Sequence, residues 1–316
     1  MAEHAEPRGW AGLVHRLGRV RGPRTVVLTD TASALPAEVV QEYADVLRVV
    51  PMPVTVGERV LVEGEDDVPT QLALGLALGE RVSTSGAPAG RLLSVLDAAA
   101  GEGFDAAVVI TLAGALSGTA DAARWAAERA ALPTLVVDSH SVGLGEGFAV
   151  LAALRAARER APWEQVRDAA GRGGSARVWF TVPSLEQLRR GGRIGAAASV
   201  LGTLLNVKPI LTLDRQGAIH AAERQRSTAR AVGRMAQLAA EAAGEDPSAV
   251  RIGVHQFGAK PQAERLVEEL APLSSHEVVL TSVPAVLAAH TGAGALGVVV
   301  YREAPEEHAE DPQQEV

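Results

Sequence analysis

The stretch Ala106-Ala-Val-Val-Ile-Thr111 is followed by an alanine-rich helical pattern over 116–131 and then by Leu135-Val-Val137. An unbroken run of small and β-branched residues predicts a strand buried on both faces. A helix and a second apolar run behind it predict a βαβ unit, and therefore a parallel sheet. The same alternation extends outward. Toward the N-terminus, strands are predicted at 25–29 and 47–56, with helices at 36–44 and 91–100. Toward the C-terminus, helices are predicted at 147–160 and 163–170.

The second half of the chain reads differently. Strands are predicted at 177–182, 208–213 and 218–223, the last two joined by Asp214-Arg-Gln-Gly217, a hairpin turn. A helix at 228–243, a strand at 252–256, a helix at 261–270 and strands at 278–283 and 298–301 follow. A hairpin inside an α/β pattern predicts a mixed sheet. The expected architecture is two α/β domains: 25–174 with a mostly parallel sheet flanked by helices, and 175–302 with a mixed sheet and helices. The glycine-rich stretch 171–175 marks the boundary. A basic arm or helix (1–24) precedes them and an acidic tail (303–316) follows.

Composition excludes several classes. The chain has 316 residues, 47% of them hydrophobic, which is enough for two cores. Aromatics make up only 3%, so the core must be built from Ala, Val and Leu. There is no cysteine, hence no thiol nucleophile and no thiolate metal site. A formal charge of −8 argues against a nucleic-acid surface. No apolar run approaches the roughly 18 residues of a membrane span, and no secretory signal opens the chain. A cytoplasmic protein is the expectation. In the arm, Trp10, Leu13, Val14, Leu17 and Val20 fall at helical spacing among arginines. That pattern suits an extra packed helix or a transient contact with a membrane surface.

Polar clusters fall where strands should end. Asp30, Thr31 and Ser33 follow the first strand, Thr84 and Ser85 lie in Val82-Ser-Thr-Ser85, and Thr111 ends the central strand. Ser117-Gly-Thr119 opens the long helix, and Asp138-Ser-His-Ser141 follows the next strand. Ligands bind outside the carboxyl ends of open α/β sheets, while the same residue types are ordinary helix caps. Near the C-terminus, His290-Thr-Gly-Ala-Gly-Ala-Leu-Gly297 places a histidine beside a glycine-rich segment. It precedes a strand, so it is no dinucleotide fingerprint. Its free backbone N–H groups suit a carboxylate- or phosphate-sized anion. Ser117 with His290 also leaves an acyl hydrolase open, although no G-x-S-x-G elbow surrounds Ser117. The eight histidines show no metal-ligand spacing, and no P-loop occurs. Arg189, Arg190 and Arg193 form one basic set, and Arg224, Arg226 and Arg230 a second.

Taken in order, these pieces resemble the DegV family, which includes the fatty-acid-binding subunits of bacterial fatty acid kinase. The motifs are Thr29-Asp-Thr-Ala-Ser-Ala-Leu-Pro36, Val50-Pro-Met-Pro53, Ser83-Thr-Ser85, Leu116-Ser-Gly-Thr119, Val137-Asp-Ser139 with Gly143-x-Gly145, Arg190-Gly-Gly-Arg-Ile194, Leu205-Asn-Val-Lys-Pro-Ile-Leu211 and His290-x-Gly-x-Gly-Ala295. The resemblance implies a non-enzymatic lipid-binding protein with an apolar tunnel at the domain boundary and no cofactor. A long-chain fatty acid would have its carboxylate at Thr84, Ser85, Gly114, Ser117 and His290, supported by Asp30, Ser33, Thr111 and Gly292. Arg193, Arg224 and Arg226 would face an ATP-dependent kinase subunit that phosphorylates the acyl carboxylate. A lipid sensor or carrier without a kinase is the alternative. One departure stands out: Ala113 and Gly114 occupy the place of two serines usual in the family. Helices at 71–78 and 91–100 are expected to line the tunnel, and a carboxylate beside His290 is expected to raise its pKa.

Overall fold

The computed structural model describes residues 22–172, 176–200 and 207–303. The expected arm up to residue 21, the boundary at 173–175 and the acidic tail from 304 lie outside the described residues.

Strands β1 (Thr25–Asp30), β2 (Leu47–Val50), β6 (Ala106–Thr111) and β7 (Thr134–Asp138) form an all-parallel sheet in the order β2-β1-β6-β7. β1 and β6 are buried at every residue, as two-sided cover by helices requires. Strands β3 (Val54–Val56), β4 (Arg59–Leu61) and β5 (Val82–Thr84) form a small antiparallel sheet in the order β4-β3-β5. The helices of this first half are α1 (Ala37–Glu42), α2 (Val68–Ala77), α3 (Ala89–Gly101), α4 (Thr119–Ala127), α5 (Leu144–Arg158) and α6 (Trp163–Arg172).

The second half forms a six-stranded mixed sheet, β10-β9-β8-β13-β11-β12. Its strands are β8 (Arg177–Thr181), β9 (Lys208–Leu213), β10 (Ile219–Gln225), β11 (Val250–Phe257), β12 (Val279–Ser282) and β13 (Ala295–Arg302). The expected hairpin is β9–β10, antiparallel. The helices here are α7 (Glu186–Arg190), α8 (Thr228–Ala243), α9 (Lys260–Leu270) and α10 (Ala285–Thr291).

Three departures from the sequence reading have local causes. The expected strand 47–56 is two strands in different sheets. Pro51 and Pro53 lack the N–H groups a continuous ladder needs. The long helix begins at Thr119 and not at 116, because Ser117 Oγ accepts from the Thr119 N–H at 3.2 Å and holds the chain before it in a turn. His290 is in the last turn of α10, not on a loop. The Gly292 and Gly294 N–H groups behind it already donate to the Ala288 and Phe257 carbonyls, so they are not free for an anion.

Two helices join the halves. Helix α5 packs Val150, Ala153 and Leu154 against Val27, Val108 and Ile110 of the parallel sheet. Its first turns place Leu144 and Phe148 against Val178, Val299 and Tyr301 of the mixed sheet. Helix α10 belongs by sequence to the second half, yet Ala285, Val286, Ala288 and Ala289 lie in the core of the first. Leu154 is fully buried, so Leu154→Ala is expected to cost about 3 kcal/mol by transfer and cavity terms. Leu78→Ala, at a side chain 67% exposed, is expected to stay within about 0.5 kcal/mol. Urea unfolding midpoints of the two variants check the contrast.

Candidate functional site

A cavity opens where the two halves meet. Met52, Leu112 and Leu116 line it from the first half, and Phe180, Leu188 and Leu287 from the second. Its polar groups are few and include Thr84, Ser85, Ser117, Arg193, His290 and Thr291. The expected helices at 71–78 and 91–100 do not contribute. Leu72, Leu92 and Leu96 face the core of the first half, and the wall comes from α10, from the turns following β5 and β6, and from the mixed sheet. The cavity has about 100 Å³ of free space. A cavity of about 150 Å³ holds one benzene, so a longer apolar ligand would need the surrounding side chains to part.

The central polar contact is Thr84 Oγ1 to His290 Nε2 at 2.8 Å. Thr84 ends β5 and His290 closes α10, so the packing of α10 onto the first half makes this bond. On its other side the imidazole lies against the backbone of Gly191, where a Cβ would fall 2.1 Å from Nδ1. Only glycine leaves room, which gives Arg190-Gly-Gly-Arg193 a steric reason. Arg193 reaches back past that glycine. Its Nη1 donates to the Gly191 carbonyl at 2.5 Å and its Nε to the Leu116 carbonyl at 3.1 Å. Among the described residues it has no acidic partner.

Burial, and then the neighbouring Arg193 charge, push His290 down to about 4. At neutral pH the imidazole is uncharged, and Arg193 supplies the positive charge at this end of the cavity. Arg193, expected to face a partner, is half-buried on the cavity wall. Its contacts with Leu116 and the Coulombic effect on His290 join residues far apart in the chain, and no local pattern announces them.

The other expected residues divide. Ser85 is exposed at the rim. Ser117 lines the cavity, but its Oγ is 2.9 Å from Thr119 Oγ1 and accepts from the Thr119 N–H; no hydrogen bond links it to His290. A Ser–His nucleophilic pair is therefore not assembled. Gly114 is not on the wall, and its N–H donates to Asp138 Oδ2 at 3.0 Å. A Cβ there would fall 2.5 Å from the same oxygen, so a serine cannot replace Gly114 without displacing Asp138. Asp30, Ser33 and Thr111 are buried behind the cavity, and Gly292 caps α10 with φ +75°. Arg224 and Arg226 are exposed, on and just beyond the edge strand β10.

Sequence reasoning missed His255 of β11. It lines the cavity, its Nε2 accepts from the Leu144 N–H at 2.9 Å, and burial pushes it down to about 4. Its place in an apolar strand offered no signal. No helix among the described residues is long and apolar enough to cross a membrane.

An apolar cavity between a parallel and a mixed sheet, with hydroxyls, a neutral histidine and an arginine at one end, has the chemistry to suit an apolar ligand with an anionic end. The comparisons agree on its family. The profile described as "Uncharacterised protein, DegV family" matches residues 24–303, and the chain belongs to that family. It is 36% identical to a DegV domain-containing protein of Streptomyces coelicolor, over 87% of this chain and 97% of that one. Its structure is similar to a fatty-acid-binding DegV family protein from Thermus thermophilus, with TM-score 0.82 and 31% identity over 88% of this chain and 99% of that one. It is also similar to DegV of Bacillus subtilis, described as a fatty acid binding protein, with TM-score 0.79 and 27% identity over 89% and 100%.

Gly191→Ala is expected to displace the imidazole and break its bond to Thr84. In a histidine NMR titration, His290 of the wild-type protein should show no transition between pH 5 and pH 8, consistent with its value of about 4. In the variant its transition should move up toward the ordinary value of about 6.5.

Proposed function

We propose that this protein binds a long-chain fatty acid, with the carboxylate at Arg193, His290 and Thr84 and the acyl chain in the apolar cavity. The observation that carries the reading is the gathering of one unpaired cation, one neutral histidine and hydroxyls at one end of an otherwise apolar cavity. The similarity to fatty-acid-binding relatives supports it. Each buried methylene contributes about 0.8 kcal/mol, so about 14 of them give roughly 11 kcal/mol before the costs of binding. That non-directional term sets affinity, and the polar end sets orientation. Arg193 supplies the counter-charge, while His290 and Thr84 act as neutral hydrogen-bonding groups.

In this reading the protein is a substrate-presenting subunit and not itself an enzyme. A separate ATP-dependent kinase phosphorylates the carboxylate it holds. Arg224 and Arg226, exposed at the edge of the mixed sheet, supply a docking face for an acidic surface of that partner.

Denaturing extraction of the purified protein, followed by mass spectrometry, is expected to release a fatty acid in stoichiometric amount. Arg193→Ala leaves a half-buried carboxylate without its cation and should weaken oleate binding about 30-fold or more. The double variant Arg224→Ala, Arg226→Ala should keep its fatty acid and lose phosphorylation by the kinase. A protein that releases no lipid and takes up no oleate would remove the reading.

A further inference from the structure

Helix α10 carries His290 in its last turn, and its first turn is capped from the other half of the molecule. The first N–H groups of a helix have no partner within it, and Pro284, the residue before α10, makes no side-chain cap bond. The cap comes from Glu63. Its Oε1 accepts from the Ala285 N–H at 3.2 Å, across 222 positions. A carboxyl oxygen also suits the positive end of the helix dipole.

Glu63 lies in the loop 62–67 between β4 and α2, and bonds within that loop fix where it stands. Asp66 Oδ2 accepts from the Val62 N–H at 2.9 Å. The Val62 carbonyl accepts from the Glu65 and Asp66 N–H groups at 3.1 and 3.0 Å. Gly64, at the tip, has φ +87°, a left-handed conformation that any other residue would strain to adopt. Glu65, Asp66 and Asp67 are exposed, whereas Glu63 is half-buried. Arg59, four residues before it, pairs with Glu80 at 3.7 Å, and Glu63 makes no ion pair among the described residues.

Helix α10 is therefore tied to the first half at both ends, by Glu63 at Ala285 and by Thr84 at His290. The two tethered residues stand about 7.5 Å apart along the helix axis, at 1.5 Å of rise per residue. Between them the helix buries Ala285, Val286, Ala288 and Ala289. Three of these four are alanines, and burial is a non-directional force that specifies the position of so smooth a face only weakly. The cap supplies the missing constraint. Val286, Leu287, His290 and Thr291 all line the cavity, and Glu63 does not. A shift of α10 thus moves four wall residues together.

We propose that Glu63 is a positioning residue for the polar end of the cavity: by capping α10 from the loop 62–67 it sets where His290 meets Thr84, and so controls ligand binding without touching the ligand. The cap needs an oxygen acceptor at the end of a side chain of this length. A carboxylate and a side-chain amide both provide one, while an apolar side chain of similar bulk leaves the Ala285 N–H unpaired. That N–H belongs to a residue only 4% exposed, where water is a poor substitute.

The ligand part of this inference rests on the proposed fatty-acid reading; the positioning of His290 does not. The test uses the full-length protein with Glu63→Leu, which removes the acceptor, Glu63→Gln, which keeps it, and Glu65→Gln as a control in the same loop. In Glu63→Leu the imidazole should part from Thr84. Its NMR titration should then rise from about 4 toward the ordinary value of about 6.5, and oleate should bind about tenfold more weakly. Glu63→Gln and Glu65→Gln should match wild type in both measurements. Should Glu63→Leu not fold, Glu63→Asp, one methylene shorter, replaces it with changes of the same direction expected. A folded acceptor variant that melts earlier but keeps the wild-type His290 titration and oleate affinity would overturn the proposal. So would a Glu63→Gln protein as impaired as Glu63→Leu. Absence of oleate binding in every protein, wild type included, with His290 still displaced in Glu63→Leu and restored in Glu63→Gln, would remove the ligand reading and leave the positioning role standing.

Discussion

The structure depends on one helix being buried from both sides. Helix α5 lies with Leu154 and its neighbours against the parallel sheet and with Leu144 and Phe148 against the mixed sheet. A helix so placed cannot be apolar on one stripe alone, and its first turn, Leu144 to Phe148, is buried throughout. Because two sheets share it, they are fixed relative to each other. The gap beside its N-terminus, near Gly143 and Val142, is where the cavity forms. The cost of the arrangement is also there: Glu146 is a carboxyl forced into the core by the helix that carries it.

The polar end of the cavity is economical in charge. Among the described residues Arg193 is the one cation of that wall and has carbonyls, not carboxylates, as its partners. A guanidinium held by two carbonyls keeps its full charge and the capacity to pair with an anion. The same charge, added to burial, keeps His290 neutral. Its position is then set by steric contact with Gly191 and by one hydrogen bond to Thr84, not by an ion pair. Orientation and charge thus come from different residues.

Much of the fold could be read before any coordinates. The apolar run at Ala106–Thr111 and the pattern after it gave the parallel sheet, and Asp214-Arg-Gln-Gly217 gave the hairpin. Where the reading failed, the cause was short or distant. Strand β4 is three residues, Arg59–Leu61, too few to show a period. Thr84, Ser85, Ser117 and His290 were legible as candidates because hydroxyls and a histidine stood at strand and helix ends. The bonds of Gly114 to Asp138 and of Arg193 to Leu116 had no local signal because the partners are 24 and 77 positions away. Local sequence proposes which residues are polar and punctuating; only tertiary packing decides which of their groups are already occupied.

The crossing of α10 into the first half has a consequence for how the chain is made. Ala285 to Ala289 complete a core otherwise built from residues 26 to 132. Domains generally fold as they leave the ribosome, N-terminal first. Here the first half emerges with one wall of its core still unsynthesised, and it waits for nearly the whole chain before that wall can close. The polar end of the cavity, which needs Thr84 and His290 together across 206 positions, is assembled last. A truncated or stalled chain therefore has no cavity to fill. The cavity itself can form only after synthesis has passed α10.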